Sequence, residues 1–378
     1  MVISNSREII LNLIKQVSPV RNTVFYIFAL FERACSHEGL PPEIDRIMLD
    51  KLCSLYLNDS INKVNFLKLS GWKPSGAYRI FIRTKKGIKW SLVYKNAKYE
   101  QNEIPAIEGL PFIPGYPEFL VYNDSKGIIA KYLPFVFDCR EIRPFKQYQY
   151  VLEDLSLNNV RLSECSHDVI LKTVSKLHKF HASLEEWTTS IDLYRIPKYD
   201  NNFTLSLQTY AYHALRKYNS IVNDDSVTRV LNLWPNICDV HKSTDVYDIK
   251  RLHPIHGDLN PSNVWVHRKN HERLKIVDWE WIGFGFPHAD LASLLVNSSP
   301  KIEEKAIDVF YNEYNELSIN QHKRIYQKCK LERAILNGSF IALQYINSSY
   351  QTKMNMAKFV HNAMKHILNT YNELINYL

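Results

Sequence analysis

Glycine and closely spaced cysteines are scarce in this sequence. Only 11 of the 378 residues are glycine and 23% are charged, which excludes a collagen-like repeat and argues against extended disorder. The six cysteines form neither a C-x-x-C pair nor a tightly spaced set. We therefore expect free thiols, without a disulfide framework or a zinc module.

Long apolar runs and dense basic tracts are also missing. The most apolar stretch near the N-terminus, Val24 to Phe31, is too short to span a bilayer and is not part of a secretory leader pattern. We expect no membrane association and a cytoplasmic location. The net charge of +8 is spread along the chain, which argues against a nucleic acid partner and suits an anionic ligand such as a nucleotide.

The hydrophobic pattern predicts a small β-rich lobe followed by a mainly helical lobe. A length of 378 residues with 46% hydrophobic composition is enough for two lobes. Residues 7 to about 58 have helical periodicity. Five β-prone runs follow: Val64 to Leu69, Tyr78 to Ile82, Trp90 to Tyr94, Ile128 to Tyr132 and Tyr148 to Leu152.

Beyond these runs the pattern is helical, starting from a possible cap at Ser166. It is interrupted by one strand-like pair, Val264 to Val266 and Leu274 to Val277. The predicted class is α+β, with a small antiparallel sheet and a mainly helical remainder. The predicted divisions are an N-terminal helical extension over 1–60, a β-rich lobe over 61–155 and a helical lobe over 156–378.

The most informative segment runs from His256 through Gly257 and Asp258 to Asn263, and is followed by Ile276-Val277-Asp278-Trp279-Glu280. Any single Asp or Asn in it could merely shape a turn or cap a helix. Together, with a hairpin between them, they favour a catalytic site. Their carboxylate and amide side chains offer hard oxygen atoms, which are the ligands that a magnesium ion prefers.

These motifs resemble those of the aminoglycoside phosphotransferase and choline kinase family, small-molecule kinases of protein-kinase-like fold. The resemblance covers roughly Val64 to Leu295. It implies a two-lobed fold, ATP or GTP with Mg²⁺ as cofactors, and as acceptor the hydroxyl of a small molecule: an antibiotic, a sugar, an amino alcohol or a related metabolite. Asp258 would orient that hydroxyl and accept its proton, while Asn263 and Asp278 would bind the metal. A protein substrate is not expected, because no long activation segment follows Asp278.

Two further residues in this stretch are interpreted as structural. His256 is expected to support the loop by hydrogen bonding, because Asp258 already fills the position of the base. Asp290 is expected to cap or anchor the helix that follows the metal aspartate.

The same resemblance places nucleotide-binding residues in the β-rich lobe. Lys95 would form an ion pair with the nucleotide phosphates. Glu118 is the preferred partner of that lysine, with Glu103 as the alternative. Ser75 and Gly76 end a turn whose backbone N–H groups could approach phosphate. A solvated lysine and a surface ion pair are the plain alternatives for Lys95 and its partner.

The segment Tyr150-Val151-Leu152-Glu153-Asp154-Leu155 resembles the hinge of these kinases. Backbone groups near Glu153 and Leu155 would hydrogen-bond the base, although an ordinary strand-to-loop junction is the alternative. The acceptor is expected between Asp258 and the helices after Pro300. Residues 301–378 contain ten Lys or Arg and seven Asp or Glu, and this balance of +3 argues against a strongly cationic aminoglycoside.

Two other functions remain open at this stage. One is a catalytically silent nucleotide-binding regulator of the same fold. The other is a partner-binding scaffold that self-associates through the N-terminal helices, which could coexist with catalysis.

Overall fold

A computed structural model describes residues 44–69, 76–98, 116–124, 127–142, 147–189, 196–243, 252–314, 317–348 and 350–377. The helices predicted before residue 44, the turn residue Ser75 and the alternative acid Glu103 lie outside the described residues. Contacts divide the chain into two compact units: the first contains the described residues up to 124 together with 133–157, and the second contains 127–132 and the described residues from 158 onwards. The segment around Ile128–Tyr132 belongs to the second unit.

The first unit is built on a five-stranded antiparallel sheet. Its elements are helix α1 (Arg46–Leu57), strands β1 (Ile61–Lys68), β2 (Ala77–Thr84) and β3 (Lys89–Lys98), helix α2 (Tyr116–Asn123), strands β4 (Val136–Ile142) and β5 (Gln147–Glu153), and a 3-10 helix at Leu155–Leu157. The strand order is β1-β2-β3-β5-β4. The central position of β3 fixes Lys95, which pairs with Ala77 on one side and Tyr150 on the other.

Helix α1 packs on one face of this sheet. Asp45 caps it by accepting a hydrogen bond from the Met48 amide, and Asn58 ends it in the left-handed conformation. The helix and the sheet share one apolar core, formed by Met48, Leu49, Leu52, Cys53, Ile80, Ile82, Leu92 and Tyr94. The described part of the predicted N-terminal extension is therefore packed into the first unit.

The prediction of a strand at Ile128 to Tyr132 is wrong. The segment is a 3-10 helix, in which Ile129 and Tyr132 are buried while Ile128 is exposed. A burial period of three matches a 3-10 helix and does not match the period of two in a strand. The fourth strand is β4, whose charged residues Asp138 and Arg140 suit the edge position that it occupies in the sheet.

The second unit is mainly helical. Its helices are α3 (His167–Val174), α4 (Leu177–Thr188), α5 (Asn201–Val222), α6 (Asp225–Asn232), α7 (Trp234–Ser243), α8 (Pro287–Leu294), α9 (Pro300–Glu313), α10 (Ile319–Asn347) and α11 (Tyr350–Ile375). Its strands are β6 (Asn159–Arg161), β7 (His253–Ile255), β8 (Val264–His267), β9 (Asn270–Ile276) and β10 (Gly283–Gly285). The described residues thus confirm the predicted α+β class.

Cap residues define where three helices of the second unit begin. Asp200 caps α5 and Asp224 caps α6 by accepting backbone N–H groups, and Ser318 with Gln321 forms a capping box at the start of α10. The helix predicted from Ser166 is divided into α3 and α4, and the Ser166 side chain makes no capping hydrogen bond.

Helix α10 passes through the core of the second unit. Its residues Leu331, Ala334 and Ile335 are at most 1% exposed and share a cluster with residues of α5, α6, α7 and α11. This burial makes α10 a rigid support for the side chains that it carries.

Two small sheets position the loops of interest. Strands β6, β8 and β9 form one antiparallel sheet, in which the β8-β9 hairpin confirms the strand pair predicted from the sequence. Strands β7 and β10 form the other. The segment His256 to Asn263 runs from β7 to β8, and Asp278 follows β9 by two residues. None of the described helices is both long enough and apolar enough to cross a membrane.

Candidate functional site

Asp290 anchors the loop between β7 and β8, which we call the catalytic loop (residues 256–263). The Asp290 carboxylate is fully buried in the first turn of α8 and accepts the backbone N–H groups of His256 and Gly257, each at 2.8 Å. His181 on α4 holds the same carboxylate through its Nε2 atom at 2.9 Å. Of the two roles expected for Asp290, capping α8 is not seen among the described contacts, whereas these hydrogen bonds anchor α8 to the catalytic loop and to α4.

His256 supports the loop, as the sequence interpretation expected. Its Nδ1 atom accepts the Asp258 N–H at 3.2 Å, so the Nε2 atom carries the proton that is donated to the Val277 carbonyl at 3.2 Å. Burial lowers the pKa of His256, and the nearby carboxylates of Asp290 and Asp278 oppose that shift. A neutral, fully engaged imidazole is suited to hold the loop.

The Asp258 carboxylate is oriented by three side chains. Asn260 donates to Oδ1 at 3.1 Å and Asn263 donates to Oδ2 at 3.3 Å. Arg333 on α10 forms an ion pair with Oδ1 and donates from Nη1 to the Gly257 carbonyl at 3.1 Å. Arg333 is not predicted from the sequence, because an arginine 75 residues downstream on a helix gives no local signal.

Asn263 connects Asp258 to the segment that carries Asp278. Its Nδ2 atom donates to the Asp258 backbone carbonyl at 2.9 Å, and its own backbone carbonyl accepts the Val277 N–H at 3.0 Å. Since Nδ2 is engaged by Asp258, the amide oxygen is the atom of this side chain that suits a metal. Asp278 follows Val277 directly, so the structure brings the three predicted residues of this motif together.

Asp278 has an unusual backbone conformation. Its φ of 67° lies in the left-handed region, which non-glycine residues seldom adopt. It precedes a 3-10 helix at Trp279–Trp281, whose Trp279 is completely buried. Strain of this kind occurs where a side chain must be held in one direction. An amide oxygen and a carboxylate are hard oxygen ligands, so Asn263 and Asp278 fit a magnesium ion.

Lys95 and Glu118 form an ion pair inside the first unit. The Lys95 ammonium lies 3.0 Å from one Glu118 oxygen and 2.8 Å from the other, and the Glu118 side chain is fully buried on α2. A buried carboxylate needs a cationic partner such as Lys95. Burial also raises the pKa of the Cys139 thiol to about 12, and the charges of Asp138 and Glu118 contribute to this rise. The acid that contacts Lys95 is thus Glu118, the one preferred from the sequence.

The other predicted nucleotide residues belong to the first unit as well. Gly76 is buried before β2, and its carbonyl accepts the Asn96 N–H at 3.0 Å. The Glu153 N–H donates to the Phe135 carbonyl at 2.8 Å, so its backbone donor is used within the protein. Leu155 is buried at the start of the 3-10 helix that follows β5.

Asp154 holds the predicted hinge in place. The carboxylate of this buried residue accepts the Ser91 hydroxyl at 2.5 Å and the Ser156 hydroxyl at 2.8 Å, and lies 3.1 Å from the Arg79 guanidinium. These contacts join the residues after β5 to β2 and β3. Asp154 lies within the hinge motif, but no local pattern around it predicts this role.

Comparisons with known proteins agree with this architecture. Residues 161–325 match the family model described as the phosphotransferase enzyme family. No curated protein sequence matches the chain. Among solved structures, spectinomycin phosphotransferase APH(9)-Ia, in complex with ADP and spectinomycin, is similar at a TM-score of 0.54 and 15% identity, covering 87% of this chain and 99% of that one.

Two further structures have the same fold. Wild-type aminoglycoside 2′-phosphotransferase-IIIa, in complex with GDP, gives a TM-score of 0.53 at 12% identity and covers 87% of this chain and 99% of that one. A choline/ethanolamine kinase family protein from Mesorhizobium loti gives 0.50 at 11% identity and covers 87% and 97%. The fold and the matched segment together confirm the resemblance to the aminoglycoside phosphotransferase and choline kinase family.

Proposed function

We propose that this protein is an ATP- and Mg²⁺-dependent O-phosphotransferase that transfers the γ-phosphate to a hydroxyl group of a small molecule. The observation that carries the proposal is the arrangement of the catalytic loop. Asp258 is held by the amide of Asn263, and the backbone of Asn263 is bonded to the residue before Asp278. One carboxylate is thereby oriented for an acceptor, beside two oxygen donors for a metal.

Each residue has a defined chemical task in this proposal. Asp258 accepts a hydrogen bond from the acceptor hydroxyl, orients its oxygen and takes its proton. Asn263 and Asp278 hold the magnesium ion, which when bound neutralises charge on the phosphates. In the first unit, Lys95 provides a cation for the nucleotide phosphates, and Glu118 keeps the lysine in place.

The remaining nucleotide contacts are proposed to come from the backbone of the first unit. The backbone around Ser75 and Gly76 would approach phosphate, and the hinge at Glu153 and Leu155 would bind the base. Since the Glu153 N–H is used inside the sheet, this residue would contribute its carbonyl. The structural relatives were solved with ADP and with GDP, so both ATP and GTP belong in the test. A kinase that uses ATP needs a compartment in which ATP is abundant, so a cytoplasmic location is part of this proposal.

The acceptor is proposed to be a small alcohol that is not a polycation. Arg333 pairs with Asp258, which offsets the negative charge that would otherwise attract a cationic amine. The balance of +3 over residues 301–378 acts in the same direction. Candidate classes are antibiotics of low charge, sugars and related metabolic alcohols.

The first experiment is a thermal-shift titration with ATP and with GTP, each with and without magnesium. A nucleotide that binds only the folded state raises the melting temperature. We expect a magnesium-dependent rise, which would justify screening alcohols and antibiotics as phosphoryl acceptors. No rise with either nucleotide would reject the proposal in favour of a scaffold, whereas binding without turnover of any acceptor would favour the silent regulator.

Two substitutions separate the assigned tasks. Asp258→Ala is expected to abolish turnover and to keep the magnesium-dependent thermal shift, because this carboxylate acts on the acceptor. Asp278→Ala is expected to weaken magnesium-dependent nucleotide binding in addition to turnover. Equal shifts for wild type and Asp278→Ala would contradict the metal assignment.

A further inference from the structure

Arg333 contacts the catalytic loop at two adjacent residues. Its guanidinium forms an ion pair with the Asp258 carboxylate and donates to the Gly257 carbonyl. The two contacts use different nitrogens of one planar group. Lysine, with a single ammonium on a flexible stem, cannot reproduce both contacts in a fixed geometry.

This ion pair is largely removed from solvent. The Arg333 side chain is 17% exposed and the Asp258 side chain 16%. Burial lowers the pKa of Arg333 to about 10. Removing a cation from water is costly, and the cost is offset only when the partner is close and well oriented. The contact therefore differs from a surface salt bridge, which contributes little.

The three groups that orient Asp258 differ in what supports them. Asn260 and Asn263 belong to the same loop as Asp258. Arg333 extends from α10, where Leu331 and Ala334 are at most 1% exposed in the core. Among these three groups, only Arg333 links the Asp258 carboxylate to a core helix.

Other charged and titratable groups surround this contact. Tyr199, after α4, lies near Arg333 and donates its hydroxyl to the Trp281 carbonyl at 2.5 Å. His256 is close enough to be affected by Arg333, Asp278 and Asp290. Since Asp290 is bonded to His181 and the loop backbone, the direct carboxylate partner of Arg333 is Asp258.

We propose that Arg333 is a positioning residue, which holds the Asp258 carboxylate in its working orientation by fixing it to helix α10; this rests on the function proposed above. Arg333 acts through Asp258 and through the Gly257 carbonyl. A displacement of the order of 1 Å at a reacting group can reduce the rate roughly 100-fold. The loss is expected in kcat, with little change in the KM for nucleotide, because Arg333 has no assigned nucleotide contact.

The test compares Arg333→Met and Arg333→Lys with a matched control, Lys330→Met. Lys330 is also a largely buried cation on α10, but it pairs with Glu303 on α9 and Glu373 on α11, away from the catalytic loop. The control therefore measures the general cost of removing a buried cation from this helix. Two readouts are used: hydrogen exchange of peptides that cover the catalytic loop, and ADP release from magnesium-ATP with water as acceptor.

For Arg333→Met we expect faster exchange in the catalytic loop, unchanged exchange in α10, and kcat reduced by about 100-fold at unchanged nucleotide KM. Arg333→Lys should lose less kcat than Arg333→Met, because lysine keeps the positive charge and can make one of the two contacts. Lys330→Met should leave loop exchange and kcat close to those of wild type.

The positioning role would be overturned if the catalytic loop of Arg333→Met exchanged at the wild-type rate. It would also be overturned if Lys330→Met showed the same changes in loop exchange and kcat as Arg333→Met. Failure of the proposed function appears differently, as a wild-type protein that gives no magnesium-dependent thermal shift and releases no ADP. Even then, loop exchange in the free protein decides whether Arg333 holds Asp258.

Discussion

Gly257 and Asp278 are the two residues of the candidate site with positive φ, at 78° and 67°. Gly257 adopts this conformation without steric cost, because it has no Cβ. Asp278 has a Cβ and is strained, as residues at functional sites often are. The backbone at Gly257, next to Asp258, and at Asp278 is therefore fixed by local geometry as well as by hydrogen bonds.

Gly257→Ala should disrupt the catalytic loop. A Cβ at this position would lie far inside contact distance of the Trp281 carbonyl oxygen, which Tyr199 already holds by a hydrogen bond. Neither backbone segment can easily give way. We expect a loss of stability of about 2 kcal/mol or more and loss of turnover, measured by denaturant unfolding and ADP release.

Gly87→Ala is the matched control for that prediction. Gly87 has a φ of 86°, and a Cβ there would meet no atom within 4 Å. The control should show only the cost of the left-handed conformation, about 1 to 2 kcal/mol, with turnover retained in the folded protein. If both variants behave alike, the contact with Trp281 is not what makes Gly257 necessary.

At the residue level, the sequence indicated the site where its members are close in the chain. Asp258, Asn263 and Asp278 lie within 21 residues and follow a recognisable spacing. Asp290 was noticed, but its contact with the catalytic loop was not foreseen. Arg333 was not identified at all, because its relation to Asp258 depends on how α10 packs, and such long-range contacts leave no periodic signal.

At the element level, the described strands β1, β2, β3 and β5 and the β8-β9 hairpin agree with the β-prone runs of the sequence. The failure at Ile128 to Tyr132 has a clear cause. Four apolar or aromatic residues interrupted by Lys131 resemble a strand in composition, whereas their burial has a period of three. Strand β4 was overlooked because Asp138 and Arg140 weaken its apolar pattern, as is usual for an edge strand.

A pair of buried histidines joins three helices of the second unit. His288 on α8 and His322 on α10 are hydrogen-bonded at 2.8 Å, and His322 also contacts the Tyr314 carbonyl, next to the end of α9, at 2.7 Å. Burial lowers the pKa of both rings, that of His288 most strongly, and the mutual repulsion of the two rings lowers the pKa of His288 further.

This pair should make the protein less stable in mild acid. In the unfolded chain both rings bind protons below their ordinary pKa of 6.5, whereas in the folded state they stay neutral to lower pH. Their contribution is thus present above about pH 6.5 and lost as the pH falls below it. The melting temperature should fall more steeply for wild type than for His288→Gln/His322→Gln between about pH 7.5 and about pH 5.5.

His213→Gln is the control for the histidine pair, because His213 is exposed on α5. This variant should have the pH dependence of wild type. For each protein, the melting temperature at the lower pH is compared with its own value at the higher pH. If the double variant shows as large a decrease as wild type, the histidine pair is not responsible for the acid sensitivity.

At the scale of the whole molecule, function is proposed to use residues from both units, while each unit has its own core. In the first unit, α1 provides Met48, Leu49, Leu52 and Cys53 to the core beneath the sheet. Burying a large apolar side chain stabilises a protein by about 1.5 to 3 kcal/mol. Met48, Leu49 and Leu52 together therefore represent a large part of the free energy of unfolding, which is about 5 to 15 kcal/mol for a typical protein.

This core changes how a scaffold function of the N-terminus should be tested. Deletion of residues 1–58 removes α1 together with everything before it, so we expect unit 1 to lose its stability and magnesium-nucleotide binding to disappear. Any loss of self-association in that variant would then follow from unfolding. Deletion of residues 1–43 retains α1 and is the informative comparison, by thermal unfolding, nucleotide shift and sedimentation. Self-association that survives in the shorter deletion would exclude residues 1–43 as its origin, whereas unchanged melting of the longer deletion would show that α1 does not stabilise the sheet.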